Sequence, residues 1–516
     1  MKMTQLKDIR RDCHATLSPI RRLPAEVLVK ILRWTPKSNI ELRDTPDNYQ
    51  SFFVHGFNVF KISEGPWYLG QVCSSWRYIV WFLCPETWSR IKIGCPLNPE
   101  DIRIPAPGKG MIALLNQVLE RGHNHCLDFF FISYRHAMDD PEELVEPQEV
   151  IQCFDLLLTH SEHWGCVELE IDPFYMPRLS QVRGRVNQLE ELNLMCIPDA
   201  MPGNMDAFEI APKLRTLEFG GMHAEADTPF PKENLSFFSD ARPVLGHHTV
   251  RKYLDIIASA PRLTTFFYFH YDSTIPESPS EHHPQIVHQS LRTLSTALGP
   301  LIDSLTLPGL LWLTAQSRMR FGGAFDCPED TVSRIYHLVV RSECSLTSLS
   351  FVGEIMDENL LPLLRLIPRL ISLSFEWYDP VPSEESDAAM RSVFLDMSKT
   401  VRVGDGIQHT LLPRLEVLEL KIFLVEFETV EFLDAGLVEM VASRCIPVDS
   451  RVLEMLRINV HGRGFHVPFI INDSDFGLEK LKSFQDHGLE LDLDLDDLED
   501  HSSLEGMYSS ESEDDD

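Results

Sequence analysis

Apolar residues follow two different rhythms along this chain, one near its amino end and another through most of the remaining length. Val27, Leu28, Ile31 and Leu32 recur at helical spacing and predict one apolar stripe on a helix that stops before Pro36. Pro24 suits a first helical position, where its missing amide would be unpaired anyway, and Glu26 places negative charge near the positive end of the helix dipole. A second amphipathic helix is expected after Gly70, with Val72, Trp76, Ile79, Val80 and Leu83 on one face. It should end near Cys84-Pro85, and Trp88 then precedes a strand-like run from Ile91 to Ile93.

After Pro105 the rhythm changes. One phrase returns four times: Ala211-Pro212-Lys213-Leu214, Ala260-Pro261-Arg262-Leu263, Ile367-Pro368-Arg369-Leu370 and Leu412-Pro413-Arg414-Leu415. Each leucine is followed three and five residues later by apolar residues: Leu217 and Phe219, Phe266 and Tyr268, Leu373 and Phe375, Leu418 and Leu420. The same beat without the proline occurs at Trp164-Val167-Leu169, Leu189-Leu192-Leu194, Ile302-Leu305-Leu307, Leu346-Leu349-Phe351 and Leu453-Leu456-Ile458, which makes nine candidate units. Helical patterns such as Tyr253, Leu254, Ile257 and Ala258 lie between them. The physical reading is a helix, a proline that ends it, and a short strand whose alternate residues enter a shared core. One such unit cannot bury its own apolar face, whereas stacked units can. Starting leucines are 25 apart from 189 to 214 and 24 apart from 346 to 370, but 49 apart from 214 to 263 and 45 apart from 370 to 415, so the array is expected to be irregular.

If the strands line a concave face, the residue between the two inward positions of each unit points outward. These are Glu168, Asn193, Glu218, Phe267, Thr306, Ser350, Ser374, Glu419 and Arg457. They share no single chemistry. Glu168, Asn193, Glu218, Phe267 and Arg457 are the candidate contacts for a bound protein, with an exposed Phe267 the most unusual of them.

The phrases L-P-x-E-V-L-x-x-I-L at Leu23 to Leu32, V-C-x-x-W-R-x-I-V at Val72 to Val80 and P-x-x-W at Pro85 to Trp88 together resemble the F-box, in a form similar to a group abundant in fungi. The resemblance implies a small all-helical module over residues 18–93 that docks on a Skp-type adaptor of a cullin ubiquitin ligase core. On the matching positions, Leu23, Pro24, Glu26, Val27, Leu28, Ile31, Leu32, Val72, Trp76, Ile79 and Trp88 would form or support that module. This chain departs from the family in length. Leu23 and Val72 are 49 positions apart, about twice the usual interval, and residues 37–66 read as an inserted loop. Phe52, Phe53, Phe57 and Phe60 of that insert would supply missing packing or a separate contact surface.

The longer rhythm, over residues 105–485, resembles leucine-rich repeats of the irregular kind that often follow an F-box. The fold expected is therefore α/β, a helical module followed by an irregular leucine-rich-repeat-like solenoid. The Asn or Cys expected after each strand is not consistently present, which leaves a regular horseshoe, or another arrangement of βα units, open. The function implied is that of a substrate-recognition subunit that recruits a protein substrate through the repeats. A non-catalytic repeat scaffold whose F-box serves no ligase is the alternative.

Composition narrows the partners further. With 46 Lys plus Arg against 78 Asp plus Glu, the formal charge of −32 argues against a nucleic-acid or anionic-membrane binder, whose affinity comes from cationic side chains. Eleven scattered cysteines with no C-x-x-C pair point to reduced thiols and a cytoplasmic or nuclear protein rather than a disulfide or zinc framework. Residues 1–17 read as a flexible basic start without the apolar run of a signal peptide.

From Leu489 onward the sequence has 13 acidic residues and no Lys or Arg, so 489–516 is expected to be an acidic, disordered tail. The alternation of Leu489, Leu491, Leu493 and Leu495 with acids would also suit a final edge strand kept soluble by charge. His123, His125 and Cys126, or the pairs His247-His248 and His282-His283, show no recurring ligand spacing. No phosphate-cradling glycine loop, G-x-S-x-G elbow or H-E-x-x-H helix occurs, so neither cofactor, metal nor catalysis by this chain is expected.

Overall fold

The computed structural model describes residues 23–34, 56–94, 109–122, 125–133, 147–196, 205–221, 228–242, 248–268, 283–296, 298–316, 318–319, 325–326, 330–353, 356–378, 384–403, 406–426, 430–445, 453–463, 467 and 477–497. The expectations for residues 1–17, 37–55 and 498–516 lie outside them. The chain divides into two compact units, Met1–Met222 with Ala226–Pro231, and His223–Glu225 with Lys232–Asp516.

The first unit carries a parallel sheet whose described strands follow chain order: β1 (Phe57–Asn58), β2 (Arg90–Ile93), β3 (Leu127–Ile132), β4 (Trp164–Ile171), β5 (Glu191–Cys196) and β6 (Thr216–Gly220). Equivalent apolar residues stand side by side across it. One row runs Ile91, Phe129, Val167, Leu192 and Leu217, and a second runs Ile93, Phe131, Leu169, Leu194 and Phe219. All ten are buried. The helices Lys109–Gly122 and Gln148–Thr159 pack on each other beside this sheet.

The second unit repeats the plan with β7 (Phe237–Ala241), β8 (Thr265–Tyr268), β9 (Thr293–Thr296), β10 (Trp312–Gln316), β11 (Ser348–Val352), β12 (Ser372–Tyr378), β13 (Val417–Glu426), β14 (Met455–Arg463) and β15 (Glu490–Asp497), all parallel and adjacent in that order. Its core row is Phe238, Phe266, Leu294, Leu313, Leu349, Leu373, Leu418 and Leu456. Helices including His248–Ser259, Thr331–Ser342, Leu360–Leu366, Glu384–Ser398 and Ala435–Cys445 flank the sheet, each touching its neighbours in chain order. Parallel pairing between consecutive strands requires every connection to cross back before the next strand starts, and repetition of that crossover makes a solenoid.

The proline phrase has a clear local role. Leu214, Leu263, Leu370 and Leu415 each donate a backbone hydrogen bond to the residue three positions earlier, Ala211, Ala260, Ile367 and Leu412, over 3.0, 3.0, 3.1 and 3.2 Å. Proline thus occupies the second position of a turn whose fixed φ directs the chain into the strand. Leu412, at φ 48°, is one of two described non-glycine residues with left-handed backbone. Its carbonyl, with those of Met397 and Leu411, accepts from the buried Arg444 guanidinium, which fastens this turn to the helix Ala435–Cys445.

Three expectations are corrected. The amino-terminal region is not all-helical, because β1 and β2 join it to the repeat sheet; Phe57, expected in an inserted loop, pairs with Ile91. Sheet strands therefore occur on both sides of residues 105–485, β1 and β2 in the first unit and β15 in the second. Glu490–Asp497 does not belong to a disordered tail but forms the strand beside β14 that the alternation of leucines and acids also suited, with Glu490, Asp492 and Asp494 exposed and Leu491, Leu493 and Leu495 half-buried. The Ile302-Leu305-Leu307 unit does not enter the main sheet: Gly299–Asp303 is a short helix, and among the described residues Leu305–Thr306 pairs with Ile286–Val287 alone.

Candidate interaction surface

Helix Ala25–Trp34 begins on the Pro24 carbonyl, which accepts from the Val27 and Leu28 amides at 3.0 and 3.1 Å. Its apolar stripe divides. Leu28 and Leu32, one turn apart, are 2% and 1% exposed, on the side where the helix packs against the segment Ile79–Trp88. Val27 and Ile31, also one turn apart, are 40% and 37% exposed. Leu23 is half-buried, while Pro24 and Glu26 are exposed.

The second predicted helix is two pieces. Ser74–Tyr78 is α-helical and Ile79–Leu83 continues as a π-helix, whose wider turn changes the phase of the side chains. Trp76, Ile79 and Val80 are buried, as expected of a helix core. Val72 and Leu83, assigned to the same face by spacing, are exposed, together with Tyr78 and Phe82. Tyr78 and Phe82 rest against each other, ring centres 5.4 Å apart. Trp88 is fully buried, and its indole Nε1 donates to the Val80 carbonyl at 2.8 Å, closing the π-helix onto the Pro85–Trp88 turn.

The sequence motif thus contains two sets. Leu28, Leu32, Trp76, Ile79 and Trp88 close the module, whereas Val27, Ile31 and Val72 remain at its surface. Sequence reasoning missed Tyr78 and Phe82 as surface residues. Their spacing of four was the available signal, and it was masked because a regular α-helix does not predict the π turn.

The other candidate contacts lie on the outward faces of the sheets. In the first unit Phe130, Glu168, Asn193 and Glu218 stand in register on adjacent strands, with Glu168 and Asn193 buried and Glu218 half-buried. Burial, then the neighbouring charges of Glu168 and Glu191, push the Glu218 carboxyl up to about 7. In the second unit Ser350, Ser374, Glu419, Arg457 and Asp492 are in register. Arg457 bridges Glu419 and Asp492, and Lys421 lies 3.2 Å from Glu419. Phe267 is half-buried rather than exposed, and meets Phe237 edge to face at 5.3 Å. Thr306 lies off the main sheet. The five contact candidates consequently fall in different environments: Glu168, Asn193 and Glu218 share one row of the first unit, while Phe267 and Arg457 lie in the second, separated by several strands.

Among the described residues, no group of three His, Cys, Asp or Glu side chains is placed to hold a metal ion. Burial pushes the Cys153 and Cys196 thiols up to about 12, leaving them protonated and unreactive at neutral pH. No helix among the described residues is long and apolar enough to cross a membrane.

Comparison with known proteins adds little beyond this geometry. No family model and no curated protein matches the chain. Among solved structures, a crystal structure of an internalin from Listeria monocytogenes is similar at 13% sequence identity, covering 61% of this chain and 77% of the internalin, with a TM-score of 0.28. The reading of this chain therefore rests on its own residues.

Proposed function

We propose that this protein is the substrate-recognition subunit of a Skp-cullin-F-box ubiquitin ligase, docking a Skp-type adaptor through the amino-terminal module and recruiting a protein substrate through the repeats. The observation that carries this reading is the divided stripe of helix Ala25–Trp34: Val27 and Ile31 stay at the surface while Leu28 and Leu32 seal the module. A helix that served only to cap the array would gain by turning all four inward. Fully burying an exposed Val or Ile contributes roughly 1.5–3 kcal/mol; with Val27 40% and Ile31 37% exposed, covering each adds less than half of that, so several such residues must act together to offset the cost of association. The chain itself makes and breaks no bond in this mechanism; it holds a target near the ligase's activated ubiquitin and raises its effective concentration.

The test is adaptor capture by the purified chain. Val27→Asp with Ile31→Asp should abolish capture while the thermal unfolding midpoint stays within a few degrees of the parent. Capture by the doubly substituted protein at parental strength would defeat the assignment, as would failure of the parent to bind any Skp-type adaptor.

A further inference from the structure

Arg121, in the last turn of the helix Lys109–Gly122, occupies an unusual environment. Its guanidinium carbon lies 4.9 Å from the Trp67 ring centre, 4.3 Å from that of Trp81 and 4.6 Å from that of Trp88. These tryptophans come from three pieces of the amino-terminal module: the helix Gly65–Leu69, the π-helix Ile79–Leu83 and the turn Pro85–Trp88. Trp67 and Trp88 also meet edge to face at 4.9 Å, which fixes one corner of the enclosure. Arg77 braces the opposite wall, 5.8 Å from Trp81, while its Nε donates to the Gly70 carbonyl at 2.9 Å.

The cation's partners are ring faces rather than acids. Among the described residues no carboxylate forms an ion pair with Arg121, and its Nη1 is buried without a hydrogen-bond acceptor. A long contact of 3.4 Å from Nη2 to the Gln117 side chain is its hydrogen bond to a neighbour. Partial burial draws the guanidinium below its ordinary value, with Glu120 opposing. An arginine placed only to fill space would keep its head in solvent.

We propose that Arg121, clasped by Trp67, Trp81 and Trp88, is a cationic latch that fixes the amino-terminal module to the first repeat helix, so that the two move as one body. The latch is a positioning device. It goes beyond the adaptor-docking reading and stands or falls without it, since both halves belong to this chain. If a partner does dock on Val27 and Ile31, the latch holds that partner at a set place relative to the sheet of the first unit.

Hydrogen exchange on the full chain, with no partner present, tests this. Arg121→Met retains length and apolar volume but removes the cation; it should speed exchange of the Ser74–Tyr78 and Ile79–Leu83 amides about tenfold, while Arg121→Lys stays within about threefold of the parent. Exchange in Ser372–Tyr378 reports on the second unit and should be unchanged. Met at parental protection, or Lys as unprotected as Met, would overturn the latch. The opposite wall supplies an independent check. Trp81→Leu should loosen Lys109–Gly122, and combining it with Arg121→Met should add little to either alone. Fully additive effects would show that the two side chains act separately and would likewise overturn the proposal.

Discussion

The amino-terminal module and the repeat array treat their apolar residues in opposite ways. In the array, the leucines that set the beat, among them Leu189, Leu214, Leu263, Leu346, Leu370, Leu415 and Leu453, are all completely buried. In the module, neighbouring residues of a single stripe separate into Leu28 and Leu32 inside and Val27 and Ile31 outside. Both regions are equally rich in apolar signal, but in the repeats that signal describes folding, whereas in the module part of it describes something the chain does not do for itself. The repeats expose some apolar residues as well, Leu366 and Leu395 among them, but not the leucines that set their beat; in the module half of the stripe itself is left out, and that is where a partner is to be sought.

The comparison would break if buried positions of the repeats proved dispensable. The severest case is polar. Asp240, at the inward position of β7 where most other repeats have an apolar residue, is fully buried and accepts from the Arg242 side chain at 2.5 and 2.8 Å and from the Tyr253 hydroxyl at 3.0 Å. Asp240→Ala would remove a buried carboxylate that pairs with the buried Arg242 guanidinium and should cost about 3–5 kcal/mol in urea unfolding. Next comes Leu373→Ala, which opens a cavity in β12 and should cost about 2–5 kcal/mol. Ile31→Ala, by contrast, should change stability by under about 1 kcal/mol, because its side chain already faces water in part. An Ile31→Ala loss as large as that of Leu373→Ala would remove the distinction between the two regions.

The same comparison explains what was legible in the sequence. Eight of the nine candidate units entered the main sheets, because three apolar residues at fixed offsets are hard to accommodate in any other way. Three strands of the second unit that escaped notice broke the phrase at its last position: Leu235-Phe238-Asp240, Leu291-Leu294-Thr296 and Leu310-Leu313-Ala315. Each substitute is buried by a local device, an ion pair for Asp240 and a hydrogen bond from the Leu298 amide to the Thr296 hydroxyl at 3.1 Å, while Ala315 needs little room. The step of 49 residues between Leu214 and Leu263 thus conceals the unit begun by Leu235. Outward residues were placed on their strands, but neither the burial of Glu168 nor the pairing of Phe267 with Phe237 can be read from alternation, since both depend on neighbours distant in sequence. The division of the module's stripe was invisible for a similar reason: helical spacing gives the stripe, and only the packing of Ile79–Trp88 decides which half is covered.

The outward faces offer the finest contrast, and its effect is the smallest of those considered. In the second unit Glu419 is balanced by Lys421 and Arg457, so Glu419→Gln should lower stability. In the first unit Glu218 makes no ion pair among the described residues, and burial together with Glu168 and Glu191 raises its carboxyl from the ordinary 4.5 to about 7. The folded chain therefore holds this proton more tightly than the unfolded chain does. Between about pH 4.5 and 7 the unfolded state loses the proton first, so this carboxyl's contribution to stability falls as pH rises through that window and levels off above it. Glu218→Gln removes the titration while keeping the shape. It should leave stability unchanged near pH 4, and raise it relative to the parent by roughly 1–3 kcal/mol at pH 8. Urea unfolding at both pH values measures the difference, and a Gln variant no more stable than the parent at pH 8 would mean that the row through Glu168, Asn193 and Glu218 already has its charge balanced as fully as the row through Glu419.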